Sequence, residues 1–349
     1  MAPKTKTRPE VKKSAERDYP RIVTPLPGPK AKEIVKKDKE NSSTSYIKMF
    51  PLAVSHGRGA MVEDVDGNRF VDWMGGIAVA ATGYAHPKVV SAVQEAAGKF
   101  FSMCSTDWYY AGFSDLCERL AKSAPGKSKK RVFLTNSGTE AVEGAIKLVR
   151  SSTHRPGLIA FRGAFHGRTY GAMSLTSSKV IQRAFFLPML PGVFHTDYPD
   201  EYRMTYDKKR FKSISEYCIW MIHSDLFERH VLPDNVAAIF IEPMLGEGGY
   251  IIPPKEFLVA LRELCDKYGI LLVFDEIQCG VGRTGKMWAA DYFGVEPDIL
   301  LTAKGLASGM PIGAIIAKES IMKWAPGSHG STYGGNPVCC AAALATLDI

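Results

Sequence analysis

Ionisable side chains stand at two places where an apolar run of the chain ends. The run Ile270–Phe274 is followed at once by Asp275 and Glu276. The run Ile299–Thr302 is followed, after one residue, by Lys304. A carboxylate at the end of a buried strand is costly unless a cation neutralises it, and no Lys or Arg is adjacent to Asp275 in the sequence. If the two strands are neighbours, Asp275 and Lys304 face one crevice, either as an ion pair or as two groups that bind a charged ligand.

A third segment has the composition of a phosphate site. The stretch VFLTNSGTEAVEGAIKL predicts a strand, a turn at Ser137-Gly138-Thr139 and a helix, with Ser137 and Glu140 at the spacing of a capping box. The N–H groups of a helix start and two nearby hydroxyls form an anion site, although an ordinary capped helix has the same pattern. A carboxylate for a ring nitrogen, an amine for an aldehyde and a cradle for a phosphate are together what pyridoxal 5′-phosphate (PLP) requires.

Two nucleotide-binding motifs match this region only formally. The segment GVGRTGK at residues 280–286 has the glycine spacing of the dinucleotide fingerprint and the beginning of a phosphate-binding P-loop. The dinucleotide motif places its glycines directly at the strand end, whereas Asp275–Cys279 intervene here. The P-loop requires Ser or Thr after its Lys, and Met287 stands there. We therefore favour PLP over a nucleotide.

These groups must be positioned by the elements that precede them, and the apolar runs predict an α/β fold. The predicted strands are Arg131–Leu134, Leu158–Phe161, Val236–Ile241, Ile270–Phe274, Ile299–Thr302 and Ile312–Ala317. Short buried strands separated by helical stretches imply a mostly parallel sheet covered by helices on both faces, with ligands at the carboxyl ends of the strands. Earlier in the chain, two alternating runs flank Asp66-Gly67, which predicts a β-hairpin outside the main sheet.

Composition and charge argue against membrane, secreted and nucleic-acid-binding classes. The apolar runs are too short to cross a bilayer and the chain start does not resemble a secretion signal, so we expect a cytoplasmic protein. Seven cysteines without a C-x-x-C pair indicate neither a disulfide framework nor a zinc site, and we expect no metal. Most of the net charge of +8 lies in residues 1–40, where 12 Lys and Arg accompany six Asp and Glu. The segment MAPKTKTRPEVKK is typical of a solvated tail, and without interleaved aromatics it does not indicate nucleic-acid binding.

Seven motifs together resemble one enzyme family. The motifs are FVDWMGGIAV, NSGTEAVEGAIKL, AFHGRT, IEPMLGEGGY, DEIQCGVGRTGK, AKGLASGMPIGA and STYGGNP. They resemble the class III aminotransferases of PLP fold type I, which include the 4-aminobutyrate, ornithine and acetylornithine aminotransferases, and in particular archaeal-type members. The resemblance runs from about Gly28 to the last residue. It implies a basic tail and arm at residues 1–45, an N-terminal small-domain segment with the hairpin at 46–83, and a large PLP-binding domain at 84–349.

The resemblance also assigns roles to individual residues. Lys304 would bind the aldehyde of PLP and carry the proton between the substrate Cα and the cofactor C4′, and Asp275 would keep the ring nitrogen protonated. Phe165 would lie against the ring face, Gln278 would reach the ring hydroxyl, and Thr332 would reach the phosphate in the other subunit, which implies a homodimer with shared active sites. The implied cofactor-binding residues are Ser137, Gly138, Thr139, Phe165, His166, Glu242, Asp275, Ile277, Gln278, Lys304 and Thr332.

Three further positions would surround the substrate. Ile77 matches an apolar residue at the substrate entrance, while Arg168 and Glu247 match charged positions, and a guanidinium offers a bidentate fork to a carboxylate. Family members continue beyond the motif STYGGNP into a C-terminal small-domain segment, which supplies an arginine to the glutamate matched by Glu247. We therefore expect a C-terminally truncated chain whose small domain largely lacks its C-terminal part.

The implied reaction is the transfer of an amino group from an amino donor, such as an ω-amine, to a 2-oxo acid such as 2-oxoglutarate. Two alternatives stay open. One is an amino-acid racemase, because some archaeal-type members of the family return the proton to Cα; those members carry an aspartate at the position of Glu247, so the glutamate favours transamination. The other is a PLP-binding chain without catalytic activity.

Overall fold

The computed structural model describes residues 19–349. The predicted solvated tail at residues 1–13 lies outside the described residues. Backbone contacts divide the chain into two compact units. The described residues up to Gly75, together with Gly83–His86, form the first unit, and Gly76–Thr82 with Pro87–Ile349 form the second. The sequence-based division at residues 45 and 83 stays a prediction.

The first unit contains one helix and a small antiparallel sheet. Its elements are α1 (Pro29–Asn41), β1 (Val54–Arg58), β2 (Met61–Asp64) and β3 (Arg69–Val71), with strand order β1-β2-β3. The predicted hairpin is confirmed, since β2 pairs with β3 across a turn in which Gly67 has φ 89°. The carboxylate of Asp64 accepts from the N–H groups of Asp66 and Asn68 and so stabilises this turn.

The second unit is built on a seven-stranded sheet. The strands are β4 (Lys130–Thr135), β5 (Gly157–Phe161), β6 (Val193–Thr196), β7 (Val236–Ile241), β8 (Leu271–Asp275), β9 (Ile299–Thr302) and β10 (Gly313–Lys318). Their order is β4-β10-β9-β8-β7-β5-β6, and only β10 is antiparallel to its two neighbours. Each predicted strand is confirmed to within one residue at either end; β6 was not predicted.

Helices cover this sheet. The helices that follow β3 in the chain are α2 (Gly75–Ala78), α3 (Pro87–Ala97), α4 (Ala111–Ser123), α5 (Gly138–Thr153), α6 (Tyr170–Leu175), α7 (Ile214–Met221), α8 (Lys255–Tyr268), α9 (Ala290–Phe293) and α10 (Pro337–Asp348). The first of these, α2, is a short turn in which Gly76 and Ile77 have left-handed backbone angles. A π-helical segment follows α7 at Ile222–Phe227, and short 3₁₀ turns lie at Val180–Gln182, Pro233–Asn235 and Lys304–Ala307. Within residues 19–349, no helix has the length and apolar character needed to cross a membrane.

Alternate side chains of the central strands enter two separate hydrophobic clusters. In β7, Ile239 and Ile241 pack with α4, α8 and α10, while Ala238 and Phe240 pack with α5 and α6. Because neighbouring side chains of a strand point to opposite faces, these strands are buried on both sides. The predicted α/β fold with a mostly parallel sheet covered by helices is therefore confirmed.

Candidate active site

A cavity of about 400 Å³ is lined mainly by residues that follow the carboxyl ends of the sheet strands. The sequence-predicted residues that line it are Ser137, Gly138, Thr139, Phe165, His166, Arg168, Glu242, Glu247, Asp275, Ile277, Gln278 and Lys304. Their segments follow β4, β5, β7, β8 and β9. The other two predicted positions, Ile77 and Thr332, do not line the cavity; both are exposed. Sequence analysis did not single out the lining residues Val79, Asn136, Gly167, Ala303 and 309–312, although all of these lie inside the quoted motifs.

The carboxylate of Asp275 is buried and has a partner that the local sequence did not reveal. The Nδ1 atom of His166 donates to Oδ2 of Asp275 at 2.7 Å, and the Ile277 N–H donates to Oδ1 at 3.0 Å. Both side chains are almost completely buried. Burial opposes protonation of His166, but the hydrogen bond and charge of Asp275 and the charge of Glu242 outweigh it and raise the histidine pKa. The ion pair of Asp275 in the described structure is thus with His166 and not with Lys304.

Glu242 is a second buried acid beside this pair. Its carboxylate accepts from the N–H of Phe165 at 2.8 Å and from the N–H of Gly246 at 2.9 Å. Burial raises the Glu242 pKa and the charge of Asp275 adds to this, while His166 opposes it. Because the two backbone donors belong to the loops after β5 and β7, Glu242 holds both loops around the cavity. We call His166, Glu242 and Asp275 the cavity floor.

Lys304 lines the same cavity as these acids and follows the neighbouring strand. Strands β8 and β9 are adjacent and parallel, with Asp275 aligned to Leu301, which confirms the predicted neighbourhood. Lys304 has φ 39°, a left-handed conformation that a residue with a side chain rarely adopts and that concentrates at functional sites. Burial lowers its pKa, against the opposing effect of the charges of Asp275, Glu242 and Glu247. A lowered pKa increases the fraction of unprotonated amine, which is the nucleophilic form.

The segment after β4 has the geometry expected of an anion cradle. Ser137 caps α5 by accepting from the Glu140 N–H at 3.3 Å, which confirms the predicted helix start. The first N–H groups of a helix have no intrahelical partner and are free to bind an anion. A Cβ on Gly138 would lie 2.9 Å from Ile277, so only glycine allows this close packing between the cradle and the end of β8.

Charged side chains at the open side of the cavity are more exposed. Arg168 lies over the ring of Phe165, with its guanidinium carbon 5.8 Å from the ring centroid. The Nζ atom of Lys179 contacts Oε1 of Glu247 at 2.6 Å, and sequence analysis gave Lys179 no role. We call Arg168, Lys179 and Glu247 the cavity mouth.

Two buried polar atoms of the cavity have no hydrogen-bond partner among the described residues, which indicates that a ligand binds here. Within the described residues, His166 Nε2 and Gln278 Oε1 have no hydrogen-bond partner, and both residues line the cavity. Buried polar atoms are normally satisfied, so a bound group with its own donors and acceptors would complete this site. No cluster of three or more His, Cys, Asp or Glu side chains in residues 19–349 has the arrangement of a metal site.

Comparisons with known proteins agree on one family. Residues 42–349 match the family model described as aminotransferase class-III. The chain is 41% identical over 336 residues to an alanine/serine racemase of Pyrococcus horikoshii, covering 95% of this chain and 71% of the relative. It is 41% identical over 301 residues to a 5-aminovalerate aminotransferase of Pseudomonas aeruginosa, covering 86% and 68%. A solved ornithine aminotransferase of Toxoplasma gondii, reported with PLP at its active site, has a TM-score of 0.79 and 32% identity and is matched over 91% of this chain and 70% of that one.

Proposed function

Since the chain belongs to the class III aminotransferases, which depend on PLP, we propose that it transfers an amino group from an ω-amine such as 4-aminobutyrate or ornithine to a 2-oxo acid such as 2-oxoglutarate. The observation that carries this proposal is the convergence of Asp275, Lys304 and the Ser137-Gly138-Thr139 cradle on one cavity. Similarity to an aminotransferase that acts on 5-aminovalerate supports an ω-amine as donor.

The residues of the cavity fit the cofactor. Ser137, Gly138 and Thr139 would hold the phosphate at the start of α5, and the unpaired Oε1 of Gln278 would accept from the ring hydroxyl. Phe165 would lie against the ring. When bound, PLP accepts the electron pair that is left when the Cα–H bond of the substrate breaks.

Asp275 and Lys304 have separate roles in proton transfer. Asp275 holds a proton at the ring nitrogen, and the donors His166 and Ile277 fix the orientation of its carboxylate. The Nζ atom of Lys304, whose pKa is lowered by burial, would take the proton from the substrate Cα and deliver it to C4′ of the cofactor, as transamination requires. At the mouth, Arg168 binds a substrate carboxylate through its guanidinium fork.

We also infer a homodimer in which each subunit contributes to the site of the other. Thr332 and Ile77 match family positions near cofactor and substrate, yet both are exposed and lie outside the cavity lining of their own chain. A second copy of the chain would bring them to a cavity. Analytical ultracentrifugation tests this, and a monomer at concentrations at which the enzyme is active would contradict it.

Amino-acid racemisation is the second candidate, supported by the 41% identity to an alanine/serine racemase. A racemase returns the proton to Cα and needs no keto acid. Chiral chromatography separates the two functions: rapid D/L interconversion of an amino acid in the absence of any 2-oxo acid would favour racemisation.

The half-reaction tests the proposed function directly. The PLP-loaded protein is titrated with 4-aminobutyrate, ornithine and alanine while the absorbance of the bound cofactor is followed. We expect at least one ω-amine to convert PLP to pyridoxamine 5′-phosphate, and Lys304→Ala to abolish the conversion. Binding of PLP without conversion by any donor would mean that the chain is a catalytically silent binding protein.

A further inference from the structure

One carboxylate joins the start of α5 to the segment that follows β5. Glu143 lies in the second turn of α5, does not line the cavity and was given no role by sequence analysis. Its Oε1 atom accepts from the hydroxyl of Thr169 at 2.5 Å and from the N–H of Ala172 at 3.0 Å. Thr169 is the N-cap residue of α6, and in the described structure its side chain makes no capping bond to that helix. The carboxylate of Glu143 therefore satisfies a donor at the start of α6 that the N-cap side chain leaves free.

The same threonine continues the contact to the phosphate cradle. The hydroxyl oxygens of Thr169 and Thr139 are 2.8 Å apart. Because a hydroxyl has one proton and a carboxylate only accepts, the Thr169 proton is directed at Glu143, and Thr139 donates to Thr169. A charged phosphate oxygen is a stronger acceptor than a neutral hydroxyl, so a bound phosphate would receive the hydrogen bond of Thr139 in place of Thr169. The N–H of Thr169, 3.4 Å from Oγ1 of Thr139, would still hold that oxygen in place.

Two glycines allow these contacts at close range. A Cβ on Gly167 would lie 2.3 Å from Oγ1 of Thr139, and a Cβ on Gly171 would lie 2.3 Å from Oε2 of Glu143. The backbone of residues 167–171 therefore packs directly against both side chains, which leaves them little freedom to move. Gly167 and both its neighbours in the sequence line the cavity. The contacts of Glu143 thus hold the cradle against a second segment of the cavity lining.

A purely structural role would limit Glu143 to the capping of α6. The loss of its carboxylate would then lower the stability of the fold and would affect every ligand of the cavity alike. The contact through Thr169 to Thr139 leads to a different expectation, because Thr139 belongs to the phosphate cradle and not to the part of the cavity that would hold the ring. Loss of Glu143 should then weaken the binding of the phosphate selectively.

We propose that Glu143 is a positioning residue for the phosphate of the cofactor, which acts from outside the cavity by holding Thr169 and, through it, the hydroxyl of Thr139. The inference rests on the proposed function only in placing the phosphate at the start of α5. It extends the cradle by two residues, Thr169 and Glu143, that do not line the cavity. No proton is transferred, since only the direction of the Thr139 hydrogen bond changes when the phosphate binds.

Binding of PLP and of pyridoxal to the full chain tests this inference. Pyridoxal has the ring and the aldehyde of PLP but lacks the phosphate, so the ratio of the two dissociation constants, measured by equilibrium dialysis, reports the preference for the phosphate. We expect Glu143→Ala, which keeps a good helix former in α5, to lower this preference about tenfold. Glu143→Gln, whose amide oxygen still accepts from Thr169, should keep most of it. Thr169→Val removes the hydroxyl but not the carboxylate, and should lower the preference as Glu143→Ala does.

A double-mutant cycle shows whether Glu143 acts through Thr139. In the Thr139→Val protein no hydroxyl remains to be positioned, so Glu143→Ala should change the preference by less than about twofold. An equal loss of preference on Glu143→Ala in the parent and in Thr139→Val would overturn the inference.

Glu95→Ala is the matched control. Glu95 is also a helical glutamate with a partner, since it lies 2.7 Å from Lys99, and it is outside the cavity lining. Its substitution removes the same charge and should leave the preference for the phosphate unchanged.

Parallel weakening of PLP and pyridoxal binding in Glu143→Ala, or a preference within about twofold of the parent, would overturn the inference and leave Glu143 a capping residue of α6. If Glu143→Ala does not fold, Thr169→Val decides by the same criterion. A parent protein without any preference for PLP over pyridoxal would also overturn the inference, whereas the proposed function is decided independently by the half-reaction.

Discussion

The cavity floor and the cavity mouth both join opposite charges, but in different surroundings. At the floor, His166 and Asp275 are almost completely buried and lie 2.7 Å apart. At the mouth, Lys179 and Glu247 are equally close, yet the lysine side chain is more than half exposed. Removing one partner of a buried pair strands a charge away from water, whereas water and salt replace an exposed partner at little cost. A substitution of one partner should therefore cost more at the floor than at the mouth.

The largest effect is expected at the floor, from Asp275→Asn. The amide keeps the size of the side chain and can still accept from His166, but it has no charge with which to hold a proton on the ring nitrogen. We expect PLP to stay bound, because the cradle and Lys304 are untouched, and Cα–H cleavage to slow about 100-fold or more. Stopped-flow absorbance of the half-reaction measures this. A rate within about threefold of the parent would mean that Asp275 is only the structural partner of His166.

Substitution of His166 tests whether the buried ion pair with Asp275 contributes to the stability of the protein. His166→Leu removes the donor and leaves the Asp275 carboxylate buried with one fewer partner. We expect a loss of about 3 kcal/mol in the free energy of unfolding, measured by chemical denaturation. His166→Asn, which retains a donor near the position of Nδ1, should lose less. Equal losses in the two variants would show that packing, and not the hydrogen bond, governs the stability at this position.

Glu276 is as buried as the floor, but within residues 19–349 no Lys, Arg or His side chain forms an ion pair with it. Its carboxylate accepts from the N–H groups of Ala289 at 2.6 Å and Ala290 at 2.8 Å. Burial raises its pKa to about 7 from an ordinary value of 4.5. Below the ordinary value the group is protonated in both the folded and unfolded states, and above the raised value it is ionised in both. The cost of burying its charge therefore develops as the pH rises between these two values.

The free energy of unfolding should therefore fall more steeply with rising pH in the parent than in Glu276→Gln. Between about pH 5 and about pH 8, we expect the parent to lose up to about 3 kcal/mol more than the variant, which is the energy that corresponds to the shift of the Glu276 pKa. Denaturation curves at several pH values in this range measure it. Parallel pH profiles would show that the two backbone donors fully compensate the buried charge.

The smallest effect is expected at the mouth, from salt alone. Raising the sodium chloride concentration from about 20 mM to about 500 mM screens exposed charges and should weaken the binding of glutarate, an unreactive dicarboxylate, about threefold. The rate of the half-reaction at saturating donor should change little, because the floor is buried and its charges are screened much less. If both quantities fell by the same factor, the distinction between floor and mouth would be wrong.

Most strands and the chemical identity of the site could be predicted because they depend on local patterns. Apolar runs indicate buried strands, and the turn at Ser137 is a local capping signal. Strand β6 escaped prediction because only half of Val193–Thr196 is apolar, and α1 escaped because its residues are mainly charged. The partners of Asp275 and Glu247 are 109 and 68 residues away, and such contacts are set by strand order, which no local pattern encodes.

The position of β10 has a consequence for the way the chain is made. In the described sheet β4 is an edge strand whose only neighbour is β10. Because Lys130 pairs with Lys318, β4 cannot complete its pairing until the ribosome has synthesised β10. At ribosomal elongation rates this interval lasts roughly 10 to 40 s. During that time the backbone edge of the apolar strand β4 is unpaired, and the start of α5 is exposed on the nascent chain. The cradle at α5 therefore acquires its finished surroundings only after β10 has been synthesised, and until then the open strand edge beside it is prone to aggregation.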